Sequence, residues 1–257
     1  MVAVLVHGNP ETPAIWGPLV ENLRTIGKPG DTEPILLQLP GFGKPAPTGF
    51  GATRDEYVGW LITELEVVVA AHGPVDLVGH DWGGGFTVLA VDRRPDLVRS
   101  WASDVLGLFH PDYVWHDFAQ LWQTEGAGEK FFADTQATPE ADRIAAYNSM
   151  GIPSPIADEL VVAGDEEMGR CVLALYRSAA QPAMADAGRT LDAIRTRPGL
   201  AILPTADPFT GGSDLAPVMA ERLGAHPHRL DGQGHWWMLG DPAAGAVMLT
   251  QFWGSLA

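Results

Sequence analysis

The sequence predicts an α/β fold built on a mostly parallel sheet of about six strands, with helices on both faces and one helical insertion. Three observations carry this. Short apolar runs bounded by Gly, Pro or Asp alternate with longer amphipathic stretches, the pattern of strands joined by crossover helices. Between about residues 107 and 186 the alternation stops, and a stretch rich in Trp, Ala and acidic residues holds no convincing strand. The chain has 257 residues, enough to bury roughly 70–75% of its unfolded surface without disulfide staples.

In chain order, residues 2–6 read as a buried strand, followed by a helical pattern over 15–26 and a second strand over 34–39. A helix over 53–71 opens on Thr53 with Glu56 three residues later, the spacing of a capping box. Strand 75–78 runs directly into a helix at 84–93, and strand 98–103 follows. That strand feeds the helical insertion, expected after the fifth strand of the sheet and punctuated by Pro153 and Pro155. A run of this length without strands is not a plain loop. Strand 200–204, helix 215–223, a weaker strand at 226–230 and helix 243–253 complete the chain. The domain reading is a core of residues 1–106 and 187–257 with a helical cap over 107–186. Right-handed crossovers make such a sheet parallel and cover both its faces.

Composition narrows the function classes. Lys plus Arg is 16 and Asp plus Glu is 32, a net charge of −16. An anionic surface repels phosphate backbones and anionic lipid heads, so neither nucleic acid nor a membrane surface is an expected partner. Cys171 is the one cysteine, which rules out an internal disulfide and a cysteine zinc site. The eight histidines lack metal-helix spacing, and no phosphate loop or dinucleotide fingerprint is visible, so neither metal nor cofactor is expected. The apolar start is broken at once by His7-Gly8 and has no basic region before it. It reads as a strand and not a signal peptide, which makes a reducing cytoplasm the expected compartment. Monomer and homodimer both stay open.

The sharpest motif is Gly79-His80-Asp81-Trp82-Gly83-Gly84, placed between a strand and a helix. It has the form of a nucleophile elbow, in which a strained turn presents the central side chain at the sheet edge. Small residues on both sides let backbones pass closely. Here the central residue is Asp81. Two more motifs fall where such a site needs them. His7-Gly8-Asn9-Pro10 ends the first strand, where the N–H of Asn9, with that of Trp82, would form an oxyanion hole. His7 itself reads as a structural residue that pins this turn. Gly234-His235-Trp236 follows the last strand and offers a general base. Asp207, after strand 200–204, would hold the far nitrogen of that imidazole. Asp104, after strand 98–103, is the alternative acid.

These motifs together resemble the α/β-hydrolase superfamily and, within it, the epoxide hydrolase and haloalkane dehalogenase branches with an Asp nucleophile. The likeness covers the core and is looser in the cap. It implies an α/β-hydrolase fold, and a chain that starts at the third strand of the usual sheet, with the N-terminal hairpin absent. A carboxylate nucleophile attacking an acyl carbon would give an anhydride, whereas attack on a tetrahedral carbon gives a productive alkyl ester. The expected substrate is therefore small and apolar, and bears an sp³ carbon with a leaving group. Water is the second reactant. Tyr176, in Leu175-Tyr176-Arg177, resembles the cap tyrosine that protonates an opening epoxide. The candidates for its early-cap partner are His116, Tyr113 and Tyr147. Asn9 and Trp82 match the halide-binding side chains of dehalogenases. The main expectation is epoxide opening to a diol, the alternative is halide release from a haloalkane, and another hydrolase or a non-catalytic binder ranks below both. Trp16, Phe109, Trp115, Phe118, Trp122, Trp236 and Met238 are the expected pocket lining.

Overall fold

A computed structural model describes residues 2–26, 33–210 and 214–256. Among the described residues, six strands form one sheet: β1 (Ala3–Val6), β2 (Ile35–Leu37), β3 (Val75–Gly79), β4 (Val98–Ser103), β5 (Gly199–Pro204) and β6 (Ala225–Leu230), in the spatial order β2-β1-β3-β4-β5-β6. Every pairing is parallel. The edge from β1 to β2 and the step from β1 to β3 reverse the winding direction at β1. Open parallel sheets place their sites at the carboxyl ends of strands beside such a switch point.

The helices before and after the insertion are α1 (Gly17–Ile26), α2 (Arg54–His72), α3 (Trp82–Arg93), α10 (Leu215–Leu223), α11 (Trp237–Gly240) and α12 (Pro242–Gly254). Alternate strand residues feed two cores. Val4, Val6 and Leu77 pack with Tyr57 and Leu61 of α2, Phe86 of α3 and Met219 of α10. Leu5 and Val78 pack with Leu19 of α1 and Ala246 and Leu249 of α12. The period of two in each strand thus covers both faces, as expected. The capping box of α2 is present: Thr53 accepts from the Glu56 N–H, and the Glu56 carboxylate accepts from the Thr53 N–H.

The insertion supplies α4 (Asp117–Gln123), α5 (Ala127–Ala137), α6 (Glu140–Ser149), α7 (Ser154–Ala163), α8 (Glu166–Ser178) and α9 (Ala183–Arg189). It follows the fourth strand of the chain, not the fifth, because β1 is already a central strand of the sheet. Proline places the break before α7: Pro153 and Pro155 flank its first residue, where a missing N–H costs nothing. Trp115 and Tyr176 pack on Trp82 at the start of α3, with ring centroids 5.8 and 5.4 Å away. This lays the insertion over the carboxyl end of β3. Among the described residues, no helix is long and apolar enough to cross a membrane.

Candidate active site

The turn from β3 to α3 holds Asp81 at φ 49° and ψ −125°, a left-handed conformation that costs of order 1–3 kcal/mol for a non-glycine residue. The glycines around it make the turn possible. A Cβ on Gly79 would stand 2.2 Å from the Gly83 carbonyl oxygen, and one on Gly83 would stand 2.2 Å from that of Val6. On the facing loop, a Cβ on Gly8 would meet the Asp81 side chain at 2.4 Å. His7 clamps that loop, as its motif suggested. Its Nε2 accepts from the Leu39 N–H at 3.1 Å, and its Nδ1 donates to the Gly8 carbonyl at 2.9 Å. Burial pushes its pKa down to about 4, so it is neutral and structural.

Asp81 Oδ1 accepts from the Asn9 N–H at 2.8 Å. The other oxygen, Oδ2, lies 3.9 Å from His235 Nε2. His235 Nδ1 donates to Asp207 Oδ2 at 2.8 Å, and Asp207 Oδ1 accepts from the Phe209 N–H at 2.8 Å. Asp81, His235 and Asp207 therefore stand in line as nucleophile, base and orienting acid would. Asp104 turns elsewhere. Its oxygens accept from the Asp81 N–H at 2.9 Å, from Trp237 Nε1 at 2.7 Å and from His80 Nδ1 at 2.5 Å, so it holds the elbow and has no bond to His235.

The titration states follow from burial against these partners. Burial raises the Asp81 pKa, and the His235 charge opposes it in part. Burial lowers the pKa of His235, as does the His80 charge, but the Asp207 hydrogen bond and the charges of Asp207 and Asp81 outweigh both, and the net shift is upward. Asp207 is lowered, since its bond and charge pairing with His235 exceed the cost of burial.

Beneath the elbow lies a charge cluster that the sequence motifs did not single out. His80, fully buried, donates from Nδ1 to Asp104 and from Nε2 to Glu11 Oε1 at 3.0 Å. Glu11 also accepts from Trp236 Nε1 at 2.6 Å and from the Gly8 N–H at 2.8 Å. Although burial opposes the charge on each, Glu11 is held down to about 2 by His80, and His80 is held well above its ordinary value by Glu11 and Asp104. Glu11 follows directly after His7-Gly8-Asn9-Pro10 and His80 directly precedes Asp81. Both adjoin the motifs, and only the fold brings them together.

Above Asp81, the Tyr176 hydroxyl accepts from Asn9 Nδ2 at 3.4 Å, and its ring meets that of Trp82 edge-on at 5.4 Å. Burial and then the Asp81 charge push the Tyr176 pKa well up, so the phenol keeps its proton. His116 caps α4: its Nδ1 accepts from the Ala119 N–H at 3.3 Å, which leaves the ring proton on Nε2. Burial lowers its pKa to about 4, making it a neutral donor. Its ring lies 6.3 Å from that of Tyr176 and 5.2 Å from that of Phe209. Tyr113 donates its hydroxyl to the Phe209 carbonyl at 3.1 Å, so its proton is spent. Tyr147 lines the cavity, and burial raises its pKa to about 12.

That cavity, about 460 Å³, lies between the sheet edge and the insertion and reaches Asp81, His235, Asn9 and Tyr176. Phe118, Trp122 and Trp236 line it as expected, and Trp115 lines a small cleft that also opens on Asp81. Trp16, Phe109 and Met238 do not. All three are closed in the core, because Trp16 wedges against the His80 and Trp237 rings, Met238 joins the core under α12 and Phe109 is pressed by Gly188 of α9. Phe131, Phe132, Met168 and Phe209 take their places. Nothing in the local sequence marks these four, since a core aromatic and a lining aromatic look alike. Glu11, His80 and His235 each place one ligand atom within 4.8 Å of the others. Both His80 nitrogens are already taken by carboxylates, so the set is filled by its own hydrogen bonds.

A model of the alpha/beta hydrolase family matches residues 3–247. The chain belongs to this family. As an alpha/beta hydrolase it is an enzyme of the hydrolase class, and its relatives are diverse. It is 30% identical over 99 residues to the (E)-2-((N-methylformamido)methylene)succinate hydrolase of Acinetobacter baylyi, a match over 38% of this chain and 35% of that protein. It therefore spans about a third of the length of the curated relative that it matches. Among solved structures, an ancestral haloalkane dehalogenase is similar with a TM-score of 0.72 at 19% identity, over 99% of this chain and 91% of that one. Cfl2 of Burkholderia cenocepacia gives 0.76 at 18% over 98% and 87%. The 2-hydroxy-6-oxo-6-phenylhexa-2,4-dienoate hydrolase of a Rhodococcus strain gives 0.72 at 19% over 98% and 90%. At these identities the likenesses establish the fold of this hydrolase.

Proposed function

We propose that this hydrolase opens an epoxide to a diol through an alkyl ester on Asp81, with residues 107–186 as the cap that supplies the acid. The observation that carries this reading is the Tyr176 hydroxyl. It accepts from the Asn9 side chain at 3.4 Å and lines the cavity together with Asp81, which leaves its own proton for a substrate oxygen. Asp81 Oδ2 attacks one epoxide carbon and the C–O bond breaks. The electron pair goes to the epoxide oxygen, which takes the Tyr176 proton. His116 Nε2–H is the second donor at hand. Oδ1 becomes the ester carbonyl and is already bound by the Asn9 N–H.

His235 then takes a proton from water, and the hydroxide attacks the Asp81 carbonyl carbon. The oxyanion that forms on Oδ1 is held by the Asn9 N–H and by the Trp82 N–H, which sits at the first position of α3 and has no helical bond to make. Collapse expels the alkoxide, which takes the proton from His235. The remaining acid proton returns to the Tyr176 phenolate, restoring the carboxylate. Asp207 keeps the imidazole in the right tautomer. A free buried thiol at Cys171 suits the reducing cytoplasm proposed as its compartment.

Dehalogenation is the second reading, favoured by Asn9 and Trp82 themselves and by the dehalogenase fold neighbours. A screen of terminal epoxides and bromoalkanes, reading diol and bromide separately, decides between the two. In His235→Gln, substrate is expected to leave a stable mass increment on the Asp81 peptide. Normal turnover by that variant would end the covalent mechanism. Tyr176→Phe is expected to slow epoxide opening about 100-fold or more and to spare bromide release. An equal effect on both would remove the acid role of Tyr176. A chain that forms no adduct with any electrophile would be a binder.

A further inference from the structure

The cavity does not end at the reacting groups. It runs outward from Asp81 between apolar walls formed by Trp122, Phe131, Phe132 and Met168, and reaches Arg143 on α6. Arg143 is the one Lys or Arg among the described lining residues. No carboxylate stands within 4.0 Å of it among the described residues, whereas Arg54, Arg93, Arg94, Arg99 and Arg177 are each paired. Its Nε is closed off from water without an acceptor. Its Nη1 reaches the Val161 carbonyl only at 3.5 Å, the outer limit of a hydrogen bond. Arg143 is half-buried, and its planar fork keeps N–H groups that an anion in the cavity can take.

We propose that Arg143 is an anion subsite, and that the natural substrate carries a single carboxylate separated from its epoxide by an apolar spacer. This rests on the epoxide reading above and names its substrate class. The spacer would lie along the aromatic wall and the carboxylate would meet Arg143 by a charge-assisted fork. Charge selects a monoanion: Asp142 and Asp165 also line the cavity, so the second charge of a phosphate would meet a lining with two carboxylates and no further Lys or Arg among the described residues.

The test compares kcat/KM for an ω-carboxylated terminal epoxide with that for its methyl ester, at low and high salt. The carboxylate is expected to be preferred by about tenfold or more, with the preference shrinking as salt rises. Arg143→Met is expected to bring the ratio to about one, and Arg143→Lys to keep part of it. A native ratio of one, or a preference that survives Arg143→Met, overturns the subsite while leaving epoxide opening intact. Failure of both substrates to alkylate Asp81 in His235→Gln would instead overturn the epoxide reading.

Discussion

His235 carries the pH behaviour of the site. In the free enzyme its pKa is raised, with Asp207 and Asp81 together outweighing burial and the His80 charge. In the proposed mechanism, forming the ester removes the Asp81 charge, one of the contributions that favours the imidazolium. The His235 pKa therefore falls on alkylation, and the imidazole becomes a free base at the moment a water must be deprotonated. The acid limb of the hydrolysis step, measured by single-turnover decay of the alkyl-enzyme, is expected at lower pH than the His235 pKa of the free enzyme read by NMR. Coincident values would mean that Asp81 and His235 are not coupled across their 3.9 Å gap. Asp207→Asn is expected to slow that same decay by about 100-fold or more, whereas Asp104→Asn is expected to act mainly through the elbow it braces, as lost stability in urea.

The elbow shows how an element enforces a single side-chain position. At Gly83 a methyl group would collide with the backbone of β1, 2.2 Å from the Val6 carbonyl. Neither partner is a flexible side chain, so Gly83→Ala is expected to cost about 2–3 kcal/mol of stability. Gly85, two residues along α3, has only ordinary contacts from 3.5 Å outward, and Gly85→Ala is expected to be neutral or to stabilise by up to about 1 kcal/mol. Urea midpoints of the two variants separate a steric elbow from a merely glycine-rich turn. The elbow was legible because a strand, two small residues and a helix follow one another in the chain. The insertion was legible only as a helical stretch: its aromatics mark an apolar interior, but which of them face the cavity depends on how α4, α5 and α8 pack.

Across the whole molecule, stability and site share one buried cluster. His80 is raised, so its contribution is fully present below 6.5, the unfolded value, and is lost as pH rises through its higher folded value. Glu11 is lowered, so its contribution is present above its ordinary 4.5 and is lost as pH falls toward about 2. Thermal stability is expected to be broadest between about 4.5 and 6.5 and to fall toward alkaline pH. In Glu11→Gln both slopes are expected to weaken, as seen by Tm against pH. A profile that keeps rising from pH 7 to 9 would contradict a protonated His80. The net charge of −16 bears on partners and not on this site, where the charges are set by neighbours a few ångströms away.

The sequence by itself determined the strand–helix alternation, the parallel six-strand sheet, the elbow at Asp81 and His235 beyond the last strand, because each is written in residues adjacent along the chain. It set Asp207 before Asp104 as the acid, each of them following a strand, with no contact to settle the choice. Tertiary structure alone decided that Asp207 meets His235 while Asp104 turns to His80, that the Tyr176 hydroxyl sits on Asn9, and that Glu11 and His80 pair beneath Asp81. These contacts join residues from 24 to 167 positions apart. Their partners are chosen by the packing of separate elements and by the cost of leaving a buried charge unpaired, which local sequence patterns do not record.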